Sequence, residues 1–327
     1  MKAFLNLIRW HNLVIVILTM ILMRYAVLEP VIGRIGVVLA NSTGGEIPMV
    51  LQFSLVDFIL LVAATVFLTA GGYVINDYFD IKTDLINKGK VIVGTMIPRR
   101  KAMMWHNIFN IVGVSIGFYI SWKDGYFWLG TMFLLVSGLL YFYSASYKRQ
   151  FLIGNVVVAT LVAMVPLLVV IYEWPALYRY YTLNAVSLPD INIILYWVGG
   201  FAVFAFLTTL TREIIKDIED FEGDIAYGRS TVPVVTGILA AKIISISLVV
   251  ITITLLYLVW YMFIDDKITL IYLSIAIVLP LIYVIFKVIV SNNRKQLHNA
   301  SSIMKVVMLT GILYSLVVKA ILTWNLF

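Results

Sequence analysis

DFILLVAATVFLTAGGYVINDYFDIKTD, residues 57–84, joins a long apolar run to three carboxylates. The apolar part approaches the roughly 20 residues that a helix needs to cross the hydrocarbon core of a bilayer. Asp77, Asp80 and Asp84 follow at its carboxyl end, where the helix dipole disfavours negative charge. The stretch therefore predicts a membrane-spanning helix that ends in an acidic segment. Because this position is unfavourable for carboxylates, a function of the three aspartates has to explain it.

The composition of the whole chain is that of a membrane protein. Of its 327 residues, 62% are hydrophobic and 13% are charged, whereas soluble proteins are roughly 45–50% apolar and about 25% charged. Cysteine is absent, which excludes disulfides and thiolate chemistry. His11, His106 and His298 are far apart and lack metal-ligand spacing. The net charge of +7 comes from basic residues in short loops, which is typical of a topology signal and not of nucleic-acid binding.

About nine apolar runs are long enough to span a bilayer. They lie near 10–28, 53–75, 104–121, 126–143, 152–172, 193–211, 239–263, 268–290 and 302–325. Loops after the even-numbered runs are richer in lysine and arginine than the others, and such loops stay in the cytoplasm. We expect an all-α bundle in the inner (cytoplasmic) membrane, a single domain over 1–327, with the N-terminus inside and the C-terminus outside. Two acidic cytoplasmic loops should cap a central cavity.

A second acidic segment, TLTREIIKDIEDFEGD at residues 209–224, repeats the spacing of the first. Asp217, Asp220 and Asp224 stand in the same D-x-x-D-x-x-x-D order, and both segments follow even-numbered runs. On a helix, each triplet falls within about 60° of arc and forms one stripe roughly 10 Å long. Two facing acidic stripes repel each other, and Mg²⁺, which takes one or two carboxylates together with substrate phosphates, removes that conflict. The two motifs predict a Mg²⁺-bridged diphosphate site in which all six aspartates are metal ligands and catalytic residues.

A diphosphate also needs polar and cationic partners. The candidates are Asn76 beside the first stripe, Arg212 at the end of the sixth run, Lys148 and Arg149 in YFYSASYKR, and Arg9 with Asn12 near the first run. Arginine suits bidentate phosphate contact, and lysine acts as a point charge. Arg212 is the strongest single candidate because it lies on the apolar side of the acidic stripe, where an ionisable group generally has a function. Each of the other bases is equally well explained as a topology charge.

Two features of the sequence, the glycine pair before the first stripe and the aromatic content of the whole chain, can each be interpreted in two ways. Gly71 and Gly72 either permit close contact between helices or break the helix. Aromatic residues make up 14% of the chain. Most of them fit interface belts and packing, and a few could shield a carbocation by cation–π contact.

At these residues the chain resembles the UbiA superfamily of intramembrane prenyltransferases. That family pairs N-D-x-x-D-x-x-x-D after helix 2 with D-x-x-x-D after helix 6. NDYFDIKTD matches the first motif in full, and Asp220 to Asp224 match the second, with Asp217 as an additional member. IRWHN at 8–12 and YKR at 147–149 are similar to the family's basic segments. The resemblance implies Mg²⁺-dependent transfer of a prenyl group from a polyprenyl diphosphate to an acceptor through an allylic carbocation.

Within the superfamily, TREIIKDIEDFEGD followed by GRSTVP is most similar to the digeranylgeranylglyceryl phosphate synthases, the branch that builds ether lipids. This resemblance implies geranylgeranyl diphosphate as donor and geranylgeranylglyceryl phosphate as acceptor. KGKVIVGTMIPRR, residues 88–100, departs from the usual Arg-Pro…Pro-x-x-x-Gly pattern of that branch, so an aromatic acceptor of quinone or related biosynthesis remains the alternative. A phosphate-bearing acceptor would need extra cations, and the same stretch offers Lys88, Lys90, Arg99 and Arg100.

A cation-coupled membrane transporter is the alternative from a different class. It would use the carboxylates as ion sites. Transporters commonly place such groups near the midplane of the bilayer on broken helices, whereas these carboxylates cluster at one face. We therefore favour the enzyme over the transporter.

Overall fold

The computed structural model describes residues 1–40, 45–88, 91–291 and 293–324. Lys90 lies outside these ranges, and the side chain of Lys88 is likewise not described. Nine helices within the described ranges are long and apolar enough to span a bilayer, which confirms the predicted all-α architecture. We number them spans 1 to 9, and they are Trp10–Ile32, Leu55–Phe79, Arg99–Lys123, Phe127–Arg149, Ile153–Asn184, Ile193–Glu219, Ile238–Ile264, Lys267–Val290 and Arg294–Trp324.

Several spans are built from more than one helical segment. Span 1 consists of the α-helix Trp10–Leu22, the π-helical turn Met23–Leu28 and the α-helix Glu29–Ile32, and span 8 consists of the α-helix Lys267–Tyr272, the π-helical turn Leu273–Val278 and the α-helix Leu279–Val290. Span 7 consists of the α-helix Ile238–Val259 and the π-helical turn Trp260–Ile264. Span 4 has the α-helix Gly130–Ala145 at its centre, with the 3₁₀ turns Phe127–Leu129 before it and Tyr147–Arg149 after it. Short helices outside the spans are Lys2–Leu7, Ile81–Lys88, Phe221–Ala226 and Val232–Thr236.

Spans 2 and 6 extend beyond the apolar runs that predicted them. Span 2 continues to Phe79 and span 6 to Glu219, so each helix already carries the first aspartate of its acidic motif. Charged residues end an apolar run, but they leave the backbone free to continue its hydrogen bonds from residue i to residue i−4. The acidic motifs therefore lie on helix ends, and not in loops.

Gly71 and Gly72 lie inside the continuous helix of span 2 and do not break it. A Cβ atom on Gly71 would lie 2.9 Å from Nδ2 of Asn110 in span 3, and one on Gly72 would lie 2.8 Å from Cδ2 of Leu140 in span 4. Glycine lets neighbouring helices approach closely inside a membrane. Of the two alternatives, close helix contact is therefore the correct one.

The segments that follow spans 1 and 5 meet at the end of the bundle opposite the acidic motifs. Gly36–Val37 and Ile47–Pro48 form a two-stranded antiparallel sheet in which Val37 faces Ile47. The backbone N–H of Val186, after span 5, donates to the carbonyl of Val38 at 2.9 Å. This pairing links the segments that follow spans 1 and 5 at the far end of the bundle.

A buried ion pair fixes the same end from inside. Oε1 of Glu173, in span 5, accepts hydrogen bonds from the backbone N–H groups of Gln52 at 2.6 Å and Phe53 at 3.0 Å. Arg24, in the π-helical turn of span 1, donates to the carbonyl of Phe53, and its Nη1 lies 3.6 Å from Oε2 of Glu173. Buried charges are tolerated when they are paired and hydrogen-bonded. The pair thus ties the segment before span 2 to spans 1 and 5.

Candidate active site

A cavity of about 1140 Å³ opens at the acidic end of the bundle. All six predicted aspartates line it, and so do five of the six side chains expected to bind a diphosphate, namely Asn76, Arg212, Lys148, Arg9 and Asn12. Arg149 is the exception. Its side chain is exposed and does not line the cavity, while its carbonyl accepts a hydrogen bond from the backbone N–H of Ser230 at 2.8 Å. The deeper wall of the cavity is apolar and includes Met132, Val136, Leu161 and Val165.

Both acidic motifs bend at their middle aspartate. Span 2 ends immediately before Asp80 (φ −90°, ψ 1°), and a short helix begins immediately after it. The same change occurs at Asp220 (φ −97°, ψ 10°), between span 6 and the next short helix. Hydrogen bonds still run across each bend, from the N–H of Asp84 to the carbonyl of Asp80 at 2.8 Å and from the N–H of Asp224 to that of Asp220 at 3.0 Å. The two motifs, which have the same spacing of aspartates, therefore also have the same local backbone structure. Each acidic stripe bends at its middle aspartate, whereas the sequence predicts a straight helical stripe.

Arg229 joins the two motifs. Its Nη2 donates to Oδ1 of Asp80 at 2.8 Å and to the hydroxyl of Thr83 at 2.7 Å, and its Nη1 lies 3.4 Å from Oδ1 of Asp224. One guanidinium group thus contacts a carboxylate of each motif, so the two motifs face a common cation position. In the sequence, Arg229 is one of the basic residues in the loop after the sixth apolar run, and its place there predicts only the orientation of the chain in the membrane. The available signal was its position in GRSTVP, where it is the first basic residue after the second motif.

Lys148 approaches the same carboxylate from the opposite side. Its Nζ lies 2.5 Å from Oδ2 of Asp80 and donates to Oδ1 of Asn76 at 3.1 Å, and 7% of its side chain is exposed. The 3₁₀ turn that carries it packs on the start of span 5, where a Cβ atom on Gly154 would lie 2.6 Å from the Cα atom of Lys148. Because that contact involves backbone, which cannot rotate away, glycine is required at residue 154.

The pKa values of the two aspartates that contact Arg229 are shifted in opposite directions. Burial alone would raise the pKa of Asp80, but its ion pairs with Lys148 and Arg229 outweigh burial and lower the pKa below its usual value. Burial raises the pKa of Asp224 to about 6, and Arg229 opposes only part of that effect. Asp80 is therefore ionised throughout the physiological range, whereas Asp224 takes up a proton as the pH falls through 6.

The segment before span 1 adds a further cation. Arg9 adopts a left-handed backbone (φ 50°, ψ 54°) between Lys2–Leu7 and span 1, a conformation that is uncommon for residues other than glycine and is often found at functional sites. Its Nη2 lies 2.9 Å from Oδ1 of Asp77, and its guanidinium group lies over the ring of Tyr73. Asn12 donates to the hydroxyl of Tyr73 at 3.1 Å. The bent backbone thus directs both predicted residues of IRWHN to span 2.

The second motif has partners that the sequence did not indicate. Nδ2 of Asn155, in span 5, donates to Oδ2 of Asp217 at 2.8 Å, and Nη2 of Arg294, at the start of span 9, lies 2.9 Å from Oδ1 of Asp220. His298, one turn later in span 9, is 2.9 Å from Oε1 of Glu219. These partners come from helices distant in the chain, and no local pattern marks them.

A separate group of cations lies on the apolar side of the second motif. Nη1 of Arg212 lies 2.6 Å from Oε1 of Glu213, and Nζ of Lys216 lies 3.0 Å from Oε2 of the same carboxylate. Nε of Arg212 is buried, and among the described residues it has no hydrogen-bond partner. Lys305 of span 9 lines the same cavity.

The oxygen donors of the motifs suit Mg²⁺, but they do not form a closed cage. In the part of the chain that the structure describes, no three carboxylate or imidazole groups are arranged to hold a metal ion. Basic side chains form ion pairs with three of the carboxylates: Arg9 with Asp77, Lys148 with Asp80 and Arg294 with Asp220. Mg²⁺ is usually bound by one or two carboxylates, with waters and substrate phosphates completing its shell. The residues therefore fit Mg²⁺ that arrives with a phosphate ligand.

Comparisons with known proteins agree with this geometry. The profile of the UbiA prenyltransferase family matches residues 38–321. The chain is 30% identical over 328 residues to the digeranylgeranylglyceryl phosphate synthase of Methanobrevibacter smithii, covering 100% of this chain and 99% of that protein. It is 31% identical over 255 residues to the synthase of the same name from Methanosphaera stadtmanae, covering 77% and 84%.

Solved structures share the fold. A structure of digeranylgeranylglyceryl phosphate synthase superposes with a TM-score of 0.64 at 22% identity, covering 96% of this chain and 98% of that one. A UbiA homologue from Archaeoglobus fulgidus bound to GPP and Mg²⁺ superposes with a TM-score of 0.54 at 18% identity, covering 96% and 99%. The chain therefore belongs to the UbiA prenyltransferase family of integral membrane enzymes, as the resemblance of its two acidic motifs predicted.

Proposed function

We propose that this enzyme transfers the geranylgeranyl group of geranylgeranyl diphosphate to geranylgeranylglyceryl phosphate. The observation that carries the proposal is the contact of Arg229 with both Asp80 and Asp224 at the mouth of a cavity whose depth is apolar. Such a cavity suits a donor with an anionic head and a long hydrocarbon tail. The names of the relatives, digeranylgeranylglyceryl phosphate synthases, support the choice of acceptor, and the homologue bound to GPP and Mg²⁺ supports the choice of donor class and metal.

The acidic motifs would hold the donor's diphosphate through Mg²⁺. The six aspartates of the two motifs are the proposed ligands, and the metal when bound would neutralise the diphosphate and make it a better leaving group. Lys148, Arg229 and Arg9 already lie at these carboxylates, and they would donate hydrogen bonds to phosphate oxygens. Asn76 and Asn12 would supply further polar contacts.

The reaction breaks the C1–O bond of the donor, and both electrons leave with the diphosphate. A hydroxyl oxygen of the acceptor supplies the new electron pair to C1 and loses its proton to the released diphosphate. The allylic cation formed at C1 reacts with water unless water is excluded. Tyr73, Phe133, Tyr143, Phe201 and Phe204 line the cavity. Their ring faces are suited to stabilise such a cation.

We further propose that the whole chain is one functional unit with its site facing the cytoplasm. The distribution of lysine and arginine among the loops supports this orientation, with the N-terminus inside and the C-terminus outside. The enzyme would then take both substrates from the cytoplasmic membrane, where their hydrocarbon chains reside.

The test is an assay of the purified protein in lipid vesicles. Radiolabelled geranylgeranyl diphosphate is supplied with geranylgeranylglyceryl phosphate and Mg²⁺, and the product is identified by mass spectrometry. We expect a diether phosphate, and loss of at least 100-fold in rate with EDTA, Asp77→Ala or Asp220→Ala, the order reported when key electrostatic groups are removed from active sites. Asp190→Ala, an exposed aspartate at the opposite end of the bundle, is the matched control and should keep its activity.

Three outcomes would contradict the proposal. Diphosphate release that is insensitive to EDTA and to both substitutions would refute the enzymatic role of the motifs. Prenylation of aromatic acceptors alone would replace the proposed acceptor. Substrate flux across the vesicle membrane without a covalent product would favour a transporter.

A further inference from the structure

The cavity also holds three cations that form no ion pair with the six aspartates in the part of the chain that the structure describes. Arg212 and Lys216 both contact Glu213, and Lys305 lies near all three groups across the same cavity. We call these four residues the inner cluster. Arg212 and Lys216 share one carboxylate, and with Lys305 the four residues carry a formal net charge of +2.

The inner cluster extends from the second acidic motif toward the membrane interior, because Lys216 directly precedes Asp217 and Arg212 lies further into span 6. Arg212 precedes Asp217 by five residues in the helix of span 6, which is about 7.5 Å at 1.5 Å per residue. Nε of Arg212 is buried without a hydrogen-bond partner among the described residues, and Lys305 has no ion pair among them. The cluster thus contains donor groups that no other part of the described chain uses.

Span 9 presents one continuous stripe to the cavity. Its lining residues are Arg294, His298, Ser301, Lys305, Met308, Leu309, Gly311 and Ile312. Most of them recur every three or four residues, which places them on one helix face. The stripe changes from polar to apolar immediately after Lys305. Span 6 changes in the same direction, from Arg212 through Thr208 to Phe204 and Phe201.

We propose that the inner cluster is the site for the phosphate of the acceptor, an inference that rests on the proposed function. A phosphate monoester carries about −1.5 to −2 charges at neutral pH, which matches the net charge of the cluster. The hydrocarbon chain of the acceptor would then follow the apolar stripes of spans 6 and 9. An aromatic carboxylate carries a single charge and would leave one cation of the cluster unmatched.

The inference changes the role of two sets of residues. Arg212 was expected to bind the donor's diphosphate, and it is assigned here to the acceptor. Arg99 and Arg100 were available for the acceptor phosphate, but they line a separate surface depression of about 780 Å³, where Arg99 lies over the ring of Tyr78 at 4.7 Å. Neither of them lines the cavity that holds the motifs.

The test separates binding of acceptor from binding of donor. Lys305→Met, Lys305→Arg and the control Lys319→Met are compared in the vesicle assay. Lys319 is on the same span near its other end and lies 3.7 Å from Glu29. Michaelis constants are measured for geranylgeranyl diphosphate and for geranylgeranylglyceryl phosphate. Rates are also measured with geranylgeranylglycerol, which lacks the phosphate.

We expect Lys305→Met to raise KM for the phosphorylated acceptor by roughly 10- to 100-fold, the usual cost of losing a charged hydrogen bond. KM for the donor and the rate with geranylgeranylglycerol should stay within about threefold of the parent protein. Lys305→Arg should restore most of the loss, and Lys319→Met should match the parent protein. Should Lys305→Met fail to purify as a monodisperse protein, Lys216→Gln takes its place with the same expectation.

An unchanged acceptor KM, or an equal loss for the phosphorylated and neutral acceptors, would overturn the inference. Absence of product from the parent protein with every acceptor would instead refute the proposed function, so the two failures are distinguishable.

Discussion

Replacing Arg229 with methionine tests whether one cation controls both acidic motifs. The substitution removes the guanidinium group and keeps an unbranched side chain of similar length. Asp80 retains its contact with Lys148 at 2.5 Å. Asp224 loses the one ion pair it has in the part of the chain that the structure describes. The two motifs should therefore respond differently, and the difference should appear as a change in pH dependence.

The magnitude follows from the environment of Asp224. Burial already raises its pKa to about 6, although Arg229 acts in the opposite direction. A hydrogen bond to a charged group contributes about 1.5–3 kcal/mol, and 1.36 kcal/mol corresponds to one pH unit. Under the proposed function Mg²⁺ would bind the ionised carboxylate of Asp224, so activity should be lost as the pH falls through the pKa of this group. We expect the acidic limb of kcat/KM to lie near pH 6 in the parent protein and roughly one to two pH units higher in Arg229→Met.

The assay is a profile of kcat/KM from pH 5 to 9 at a fixed, subsaturating Mg²⁺ concentration. At pH 7 the variant should lose about 10- to 100-fold, because it combines a protonated Asp224 with a missing phosphate contact. Raising the pH to 9 should recover part of that loss. Arg179→Met, which removes an exposed arginine at the far end of span 5, controls for the change in net charge. A uniform loss with an unmoved acidic limb would refute the reasoning about Asp224.

Three further comparisons test other contacts of the structure. Lys148→Met should lower kcat/KM by about 10- to 100-fold, whereas Arg149→Met should change it by less than about threefold, because only the lysine lines the cavity; equal effects would contradict this placement. Gly154→Ala should reproduce the loss of Lys148→Met, since its Cβ atom would displace the backbone at residue 148; full activity would show that the turn is not held there. Glu173→Gln should destabilise the protein by about 3–5 kcal/mol, because it leaves the buried Arg24 without its anion. Thermal unfolding measures this loss. The double variant Glu173→Gln/Arg24→Met should lose less stability than the two single variants lose together, and additive losses would contradict the pairing.

The sequence predicted the fold because membrane spans depend on a single property, the hydropathy of about 20 consecutive residues. The helix ends were the least accurate part. Span 9 starts at Arg294, eight residues before the predicted run at 302, and span 5 ends at Asn184, well beyond the predicted 172. Polar residues at a helix end keep the backbone hydrogen bonds that define the helix, so hydropathy underestimates its length.

The sequence predicted the aspartates of the site but not all of the side chains that contact them. The aspartates could be found because their spacing occurs twice, and a repeated spacing needs no tertiary information. Arg229 and Asn155 were missed, because single residues in other elements reach the motifs only through packing of the helices. Lys148 and Arg149 are adjacent in a 3₁₀ turn, and their directions are set by the packing of that turn on span 5. No sequence pattern could distinguish which of the two enters the cavity.

The ion pairs at the mouth of the cavity oppose the repulsion among the six carboxylates that line it. Like charges in one cavity repel, and each motif carries its charge at the carboxyl end of a helix, where the dipole adds to the cost. Lys148 and Arg229 offset that repulsion at Asp80. Under the proposed function, the carboxylates would exchange Lys148 and Arg229 for the metal, and these two cations would exchange carboxylates for phosphate oxygens. Each charge would then keep a partner, so the proposal calls for movement of side chains at the mouth of the cavity.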